Sequence, residues 1–329
     1  EDHDAKGEVD VSWQNAAGTA FHPFYARDFA DVSDVAERSA LVNSLAAQEV
    51  ASDYTNPYQS DRAGIGVAKM LTATRWSLEV TRESHDALAI HASPASGRFE
   101  APVPAAPVQL WRAAIRADRA TSLGWLDTEF RYRGEVRTTS TDGDPGATCG
   151  EVACGSTVSV RPALTLEVDR AIDRATLRSR TLAAAAIGGD AVLAQELVFL
   201  GGPVSAPGYG FHELVGNRAV SQTLELALPI PFPAISLGRF GRAPGSATLA
   251  PHATAAWVHA VAAGTPILRA NTPTGGTDPL RLAATGFYPS FGVSLITAFD
   301  LLRFDLSRGL RAGGWIFSMD VTRAFWSIL

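Results

Sequence analysis

The sequence has no apolar run long enough to cross a bilayer as a helix. Such a span needs roughly 18 or more consecutive apolar residues. The longest candidates, 181–187 and 226–235, are short or broken by proline. A bundle of membrane helices is therefore excluded. An excess of positive charge is also missing: 28 Lys and Arg stand against 34 Asp and Glu, a net charge of −6. That leaves no electrostatic footprint for nucleic acid, and Phe130-Arg131-Tyr132-Arg133 reads better as a strand than as a base-stacking platform. Cysteine is nearly absent. The two present, Cys149 and Cys154, sit in a Gly/Asp/Ser-rich stretch without a neighbouring His. Their natural reading is a short-loop disulfide in an oxidising compartment, with a pair of free surface thiols as the alternative. The seven His (His3, His22, His85, His91, His212, His252 and His259) show no helical metal-ligand spacing. No Gly-rich phosphate loop and no persuasive catalytic constellation are found. The expectation is a protein that is not an enzyme and holds neither metal nor cofactor. Glu1 replaces an initiator Met and no signal peptide precedes it, so the chain reads as a mature or trimmed product.

What the sequence does have is alternation. Along 126–137, Leu126, Thr128, Phe130, Tyr132 and Val136 fall on one face. Asp127, Glu129, Arg131, Arg133, Glu135 and Arg137 fall on the other. A helix would mix these two sets and a strand separates them. Trp76, Leu78 and Val80 likewise oppose Ser77, Glu79, Thr81 and Glu83, and Val158, Val160, Leu164, Leu166 and Val168 oppose Ser159, Arg161, Thr165, Glu167 and Asp169. Near the end, Trp315, Phe317, Met319, Val321 and Phe325 oppose Ser318, Asp320 and Thr322. Segments of about ten residues that alternate in this way suit a tilted transmembrane strand, apolar toward lipid and polar toward a lumen. The fold expected is all-β: a closed, antiparallel, up-and-down transmembrane barrel, because backbone groups in lipid must be paired internally.

Strands are expected near 7–14, 63–72, 74–88, 108–119, 123–138, 156–170, 174–188, 217–230, 246–262, 285–298, 301–311 and 314–328. The total is about twelve, an even number as bacterial barrels require, and the first strand should pair with the last. Short turns alternate with the longer connections 15–62, 89–107, 139–155, 189–216 and 263–284. The link from Pro229 to Gly245 and the short Ala312-Gly313 fit that alternation less well. Within 15–62, the stretch 31–51 is helix-like, with Asp31 or Ser33 as cap. It reads as a surface helix of an external loop or as a plug. No linker divides 1–329 into two domains. The charges Asp127, Glu129, Arg131 and Arg133 are expected in the lumen, as a self-neutralising polar filling or as an ion path.

The region 176–329 resembles the C-terminal barrel of the bacterial surface antigen superfamily, the group that includes BamA and TamA. The resemblance begins at Leu193-Ala194-Gln195-Glu196, which leads to Gly201-Gly202 and then to Pro207-Gly208-Tyr209-Gly210-Phe211. This order is similar to the family's Gly-Gly element and large loop. Gly216-Asn217 and 224–229 are similar to the strand that follows, and Arg303 with Asp305 resembles the Arg-x-Asp signature of the penultimate strand. The chain departs from the family too. The Arg by which the family's loop meets an acidic wall residue is replaced by Pro207, and 257–264 offers no carboxylate. The loop is then held differently, or is free. The periplasmic POTRA domains of the family have no counterpart here, and family barrels have roughly sixteen strands, so upstream strands are missing or the barrel is a smaller version.

The resemblance, with these departures, implies a bacterial-type outer-membrane protein related to protein-insertion barrels. A structural or anchoring subunit of an envelope assembly is the reading preferred. The alternatives are an active polypeptide or lipid insertase or translocase using lumen or seam, and a passive pore. The partners expected are outer-membrane lipid and envelope subunits or client polypeptides, with no nucleic acid.

Overall fold

The alternating segments assemble into one large antiparallel sheet. The computed structural model describes residues 6–88, 93–99, 105–142, 148–149, 152–153, 158–188, 192–234, 236, 238–242, 245–260, 267–268 and 285–326. The sheet has fourteen strands. They are β1 (Gly7–Asp10), β2 (Trp13–Gln14), β3 (Thr19–Asp31), β4 (Pro57–Leu71), β5 (Thr74–Ala87), β6 (Val108–Leu123), β7 (Thr128–Thr141), β8 (Val158–Ile172), β9 (Ala175–Ala185), β10 (Arg218–Pro231), β11 (Ser246–His259), β12 (Gly286–Thr297), β13 (Leu302–Gly309) and β14 (Trp315–Val321). Each long strand pairs with its neighbour in sequence, and β1 and β2 share the outer edge of β3.

Why these residues make strands is visible in β14. Trp315, Phe317 and Met319 are 56%, 65% and 50% exposed, whereas Ser318 and Asp320 keep 7% and 8%. Period two thus sorts large apolar side chains outward and small or charged ones inward. The same sorting puts Trp76, Leu78 and Val80 outside and Thr81, Glu83 and His85 inside on β5. The sheet curls around its polar face. Arg323, just beyond β14, reaches Glu167 on β8 at 3.2 Å, six strands away in the sheet order.

Most short connections gather at one end and most long ones at the other; the exceptions are 232–245, long on the short-turn end, and 310–314, short on the long-connection end. Thr72 and Ala73 link β4 to β5 with φ of 49° and 64°, the left-handed pair of a type I′ hairpin, whose twist matches that of the strands.

Three expectations are corrected. Thr19–Asp31 is a thirteen-residue strand, not part of a loop over 15–62. Pro23 and apolar residues on both faces hide its period. Counting β1 and β2 as one position, this strand makes the number of positions odd. β1 and β14 therefore run in the same direction, and among the described residues they do not pair: the ladder stays open where the first strand was expected to meet the last. Second, the helix α1 is Ala40–Val50, capped by Ser39 rather than Asp31 or Ser33. The Asp31 carboxylate instead accepts from Ser33 N at 2.9 Å, turning the chain as it leaves β3. Third, β14 ends at Val321 and Phe325 lies in a 3-10 turn. Cys154 is outside the described residues, and so is the Cys149–Cys154 pairing.

Candidate functional site: a charge-latched lumen

Two connections fold into the curled sheet at its long-connection end. One is the segment between β3 and α1. The other is 192–216, whose Val198–Leu200 and Leu214–Gly216 pair as a small hairpin. Its apolar residues build the core: Leu197, Phe199 and Val215 pack with Val32 and Tyr58, while Tyr209 and Leu214 pack with Ala256, Val258 and Tyr288. The Tyr209 hydroxyl donates to Pro289 O at 2.9 Å and accepts from Arg311 N at 3.2 Å, so both its polar roles are satisfied inside an apolar cluster.

The glycines of the loop motif sit where its backbone touches other elements. Gly202 has φ +116°, and a Cβ there would lie 2.7 Å from a Glu37 carboxylate oxygen. Gly208 has φ +89° and would press a Cβ on the backbone of Arg308 and Gly309. Gly201 shares the positive φ, at +120°. The Gly210 N–H donates to Glu213 at 2.6 Å, Phe211 stacks on Tyr54 at 5.0 Å, and Pro207 lines the cavity described below.

The loop is locked by charge, with the acid on the loop and the bases on the wall, the reverse of the loop Arg and wall acid that the sequence resemblance implies. Glu196, buried, receives Arg112 of β6 at 2.8 Å. Arg161 of β8 donates to Glu196 O at 3.0 Å and pairs with Asp34. Arg137 of β7 holds the other Asp34 oxygen at 2.8 Å. Arg112 also pairs with Glu83, which lies 2.8 Å from His85 Nε2, and Gln195 reaches the other ring nitrogen at 3.2 Å. Burial alone would raise the Glu196 carboxyl, but Arg112, Arg137 and Arg161 outweigh it and hold it below the usual carboxylate range. Asp34 is held low in the same way by Arg161 and Arg137.

Glu37 has no such partner. Its carboxylate accepts from the backbone N–H of Val204 at 2.7 Å and of Ser205 at 3.1 Å. Burial pushes its pKa up to about 7, against the lowering effect of those bonds. Two residues on, Ser39 donates to Asp320 of β14 twice, from N at 2.8 Å and from Oγ at 2.6 Å. Inside the lumen, the segment leaving β3 is thus tied to the last strand.

Below this latch lies a cavity of about 890 Å³, with a second charge network on its wall. Arg303 reaches Glu225 at 2.6 Å and Asp305 at 3.0 Å, so the Arg-x-Asp pair of the penultimate strand faces inward. Arg131 binds Asp169 at 2.7 Å and Glu167 at 3.2 Å, and Arg133 binds Asp118 at 2.6 Å. Glu129 lies toward the short-turn rim, 65% exposed. Asp127 is in the turn itself, with φ 47°. Sequence reasoning missed Glu37, Arg112 and the role of Glu196. Arg112 follows from strand parity once β6 is recognised, whereas the two acids lie in non-periodic segments.

No family model matches the chain, and no curated protein matches it. Among solved structures it is similar to CdiB from Acinetobacter baumannii, at 10% identity with a TM-score of 0.36. The match covers 96% of this chain and 56% of that one, so the chain spans little more than half of that structure's length. No residue role is transferred from it.

Proposed function

We propose that the chain is an outer-membrane-type β-barrel that serves as a structural or anchoring barrel of an envelope assembly, with no catalytic role. One observation carries the reading: the sheet is inverted, with large apolar side chains outside and charges inside. Val67, Leu78, Val80, Ile115, Leu164, Leu224, Val293 and Phe317 are among the exposed side chains. In water such a face would far exceed the few hundred Å² of apolar patch a monomer tolerates. In lipid it is the expected surface. Exposed tryptophans stand at both rims, Trp111, Trp257 and Trp315 toward the long connections and Trp13 and Trp76 toward the short turns. That distribution matches interfacial aromatic belts.

The latched loop favours an anchor over a passive pore. The inward fold of 192–216 and the inward Arg303 and Asp305 support a relation to the surface antigen group, although the lock has reversed polarity. Expression in a bacterial host with fractionation tests the reading: the protein should stay in outer membranes after carbonate extraction, and release into the supernatant would refute it. In planar bilayers a sustained open conductance would refute the anchoring role. The open edge of β14 favours a second reading, a polypeptide translocase or insertase. A photo-crosslinker at Ile316, on that edge, would capture a translocating chain if this reading holds and none if the barrel is an anchor.

A further inference from the structure

The outward face is not uniformly bulky. Across the middle of the sheet, register places Trp76, Ala117, Gly134, Leu164, Ala183, Val220 and Trp257 in one row running from β5 to β11. The row crosses seven strands, a span of roughly 29 Å at the usual strand spacing. Its middle is floored by Ala117, Gly134 and Ala183, with Leu164 standing between the last two, and its ends carry the two exposed tryptophans. The result is a trough of about 540 Å³ on the outside of the sheet. It slants from the tryptophan at one rim to the tryptophan at the other.

The next outward row holds Arg218 opposite His259, at the long-connection ends of β10 and β11. Both are exposed, and neither forms an ion pair with a described residue. Arg218 lines the trough, and the His259 ring stacks on Trp257 at 5.9 Å. A guanidinium without an ion-pair partner among the described residues, at the edge of an apolar surface, suits an anion, and Arg binds phosphate through paired N–H donors. At the depth of a tryptophan belt the phosphates available are those of lipid headgroups. A second copy of this chain would have to fill a narrow trough two residues wide along the strands, which the flat outer face of a barrel does not fit.

From these features we infer that the trough is a binding site for one phosphate-bearing membrane lipid, its acyl chain along Ala117, Gly134 and Ala183 and its phosphate on Arg218 and His259. The inference rests on the membrane-embedded reading above. The site would fix one lipid at a defined place on the barrel wall.

The test uses the full chain reconstituted in nanodiscs of equal parts phosphatidylglycerol and phosphatidylcholine, then released for native mass spectrometry. One phosphatidylglycerol should remain on the wild-type chain. A Cβ at Gly134 would meet nothing within 4 Å, so Gly134→Leu should fill the trough without disturbing the strand and lower retention at least fivefold. Ala183→Phe gives an independent filling variant. Arg218→Ala with His259→Ala should bring the ratio of the two retained lipids to about one. Val293→Phe, on the outer face away from the trough, should change nothing. Equal retention by the filled variants, an unchanged lipid ratio in the double variant, or a lipid-free dimer would overturn the site. Failure of the chain to enter nanodiscs would overturn the membrane reading itself, and is scored separately.

Discussion

Glu37 and Glu196 show how neighbours decide what a buried carboxylate costs. Both come from connections and both are inside the sheet. Glu196 faces guanidinium groups and stays ionised, whereas at Glu37 burial outweighs the Ser205 and Val204 hydrogen bonds and the charge of Arg180, and its pKa rises to about 7. The unfolded chain ionises Glu37 near 4.5, so its contribution to stability is full below that value and falls as pH rises through 7. The loss is about 3 kcal/mol by linkage. His212 has the opposite sign. Burial depresses its pKa to about 3, so its contribution is full above 6.5 and falls as pH drops below that. The two windows overlap with opposite sign, so urea unfolding of the wild type in micelles should change little between about pH 4.5 and 6.5. Across that window Glu37→Gln should leave a stability that falls as pH drops, and His212→Gln one that falls as pH rises; unchanged slopes in both would refute the assignment. Glu196→Ala should cost more at every pH, about 3–5 kcal/mol, because it leaves Arg112 and Arg161 buried with less compensation. A loss under 1 kcal/mol in the same assay would show that the latch does not hold the loop.

Elements were legible where their period was clean. β5, β7, β8 and β14 alternate without interruption, and their inward residues follow from parity alone. β3 was not legible: Phe21, Pro23, Tyr25 and Phe29 lie on one face, but Phe24 and Ala26 on the other are apolar as well. The strand is defined by its neighbours, since β4 supplies partners along its whole length. The latch was illegible for a related reason. Glu37, Ser39 and Glu196 lie in segments with no period, and their partners are up to 281 positions away in sequence. Two predictions belong at this scale. Ala73→Gly should stabilise the β4–β5 hairpin by up to about 1 kcal/mol, because the left-handed φ costs an alanine roughly that much. Ser39→Ala should cost about 1–2 kcal/mol, losing the cap of α1 and one bond to β14 together. In both cases the shift in unfolding midpoint is the measurement, and a change of opposite sign would refute the structural role.

At the scale of the whole molecule, an open ladder and a filled interior have to be reconciled. Backbone groups facing lipid carry a large cost when unpaired, so an unclosed edge would be unstable if nothing spanned it. Here the segment leaving β3 crosses to Asp320, and Glu37 and Asp34 bind that same segment to the loop and to the wall. The interior therefore serves closure as well as blockage: what plugs the lumen also draws the two ends of the sheet together. In bilayers the wild-type chain should show no sustained conductance, because 192–216 and the segment before α1 fill the lumen at the long-connection end. Glu37→Gln combined with Glu196→Gln weakens both attachments of the loop while leaving its apolar packing in place. That variant should open in brief discrete steps, and the openings should lengthen when Ser39→Ala also releases the tie to β14. If the triple variant remains as silent as the wild type while keeping its fold, the charges only fill space, and closure has another cause.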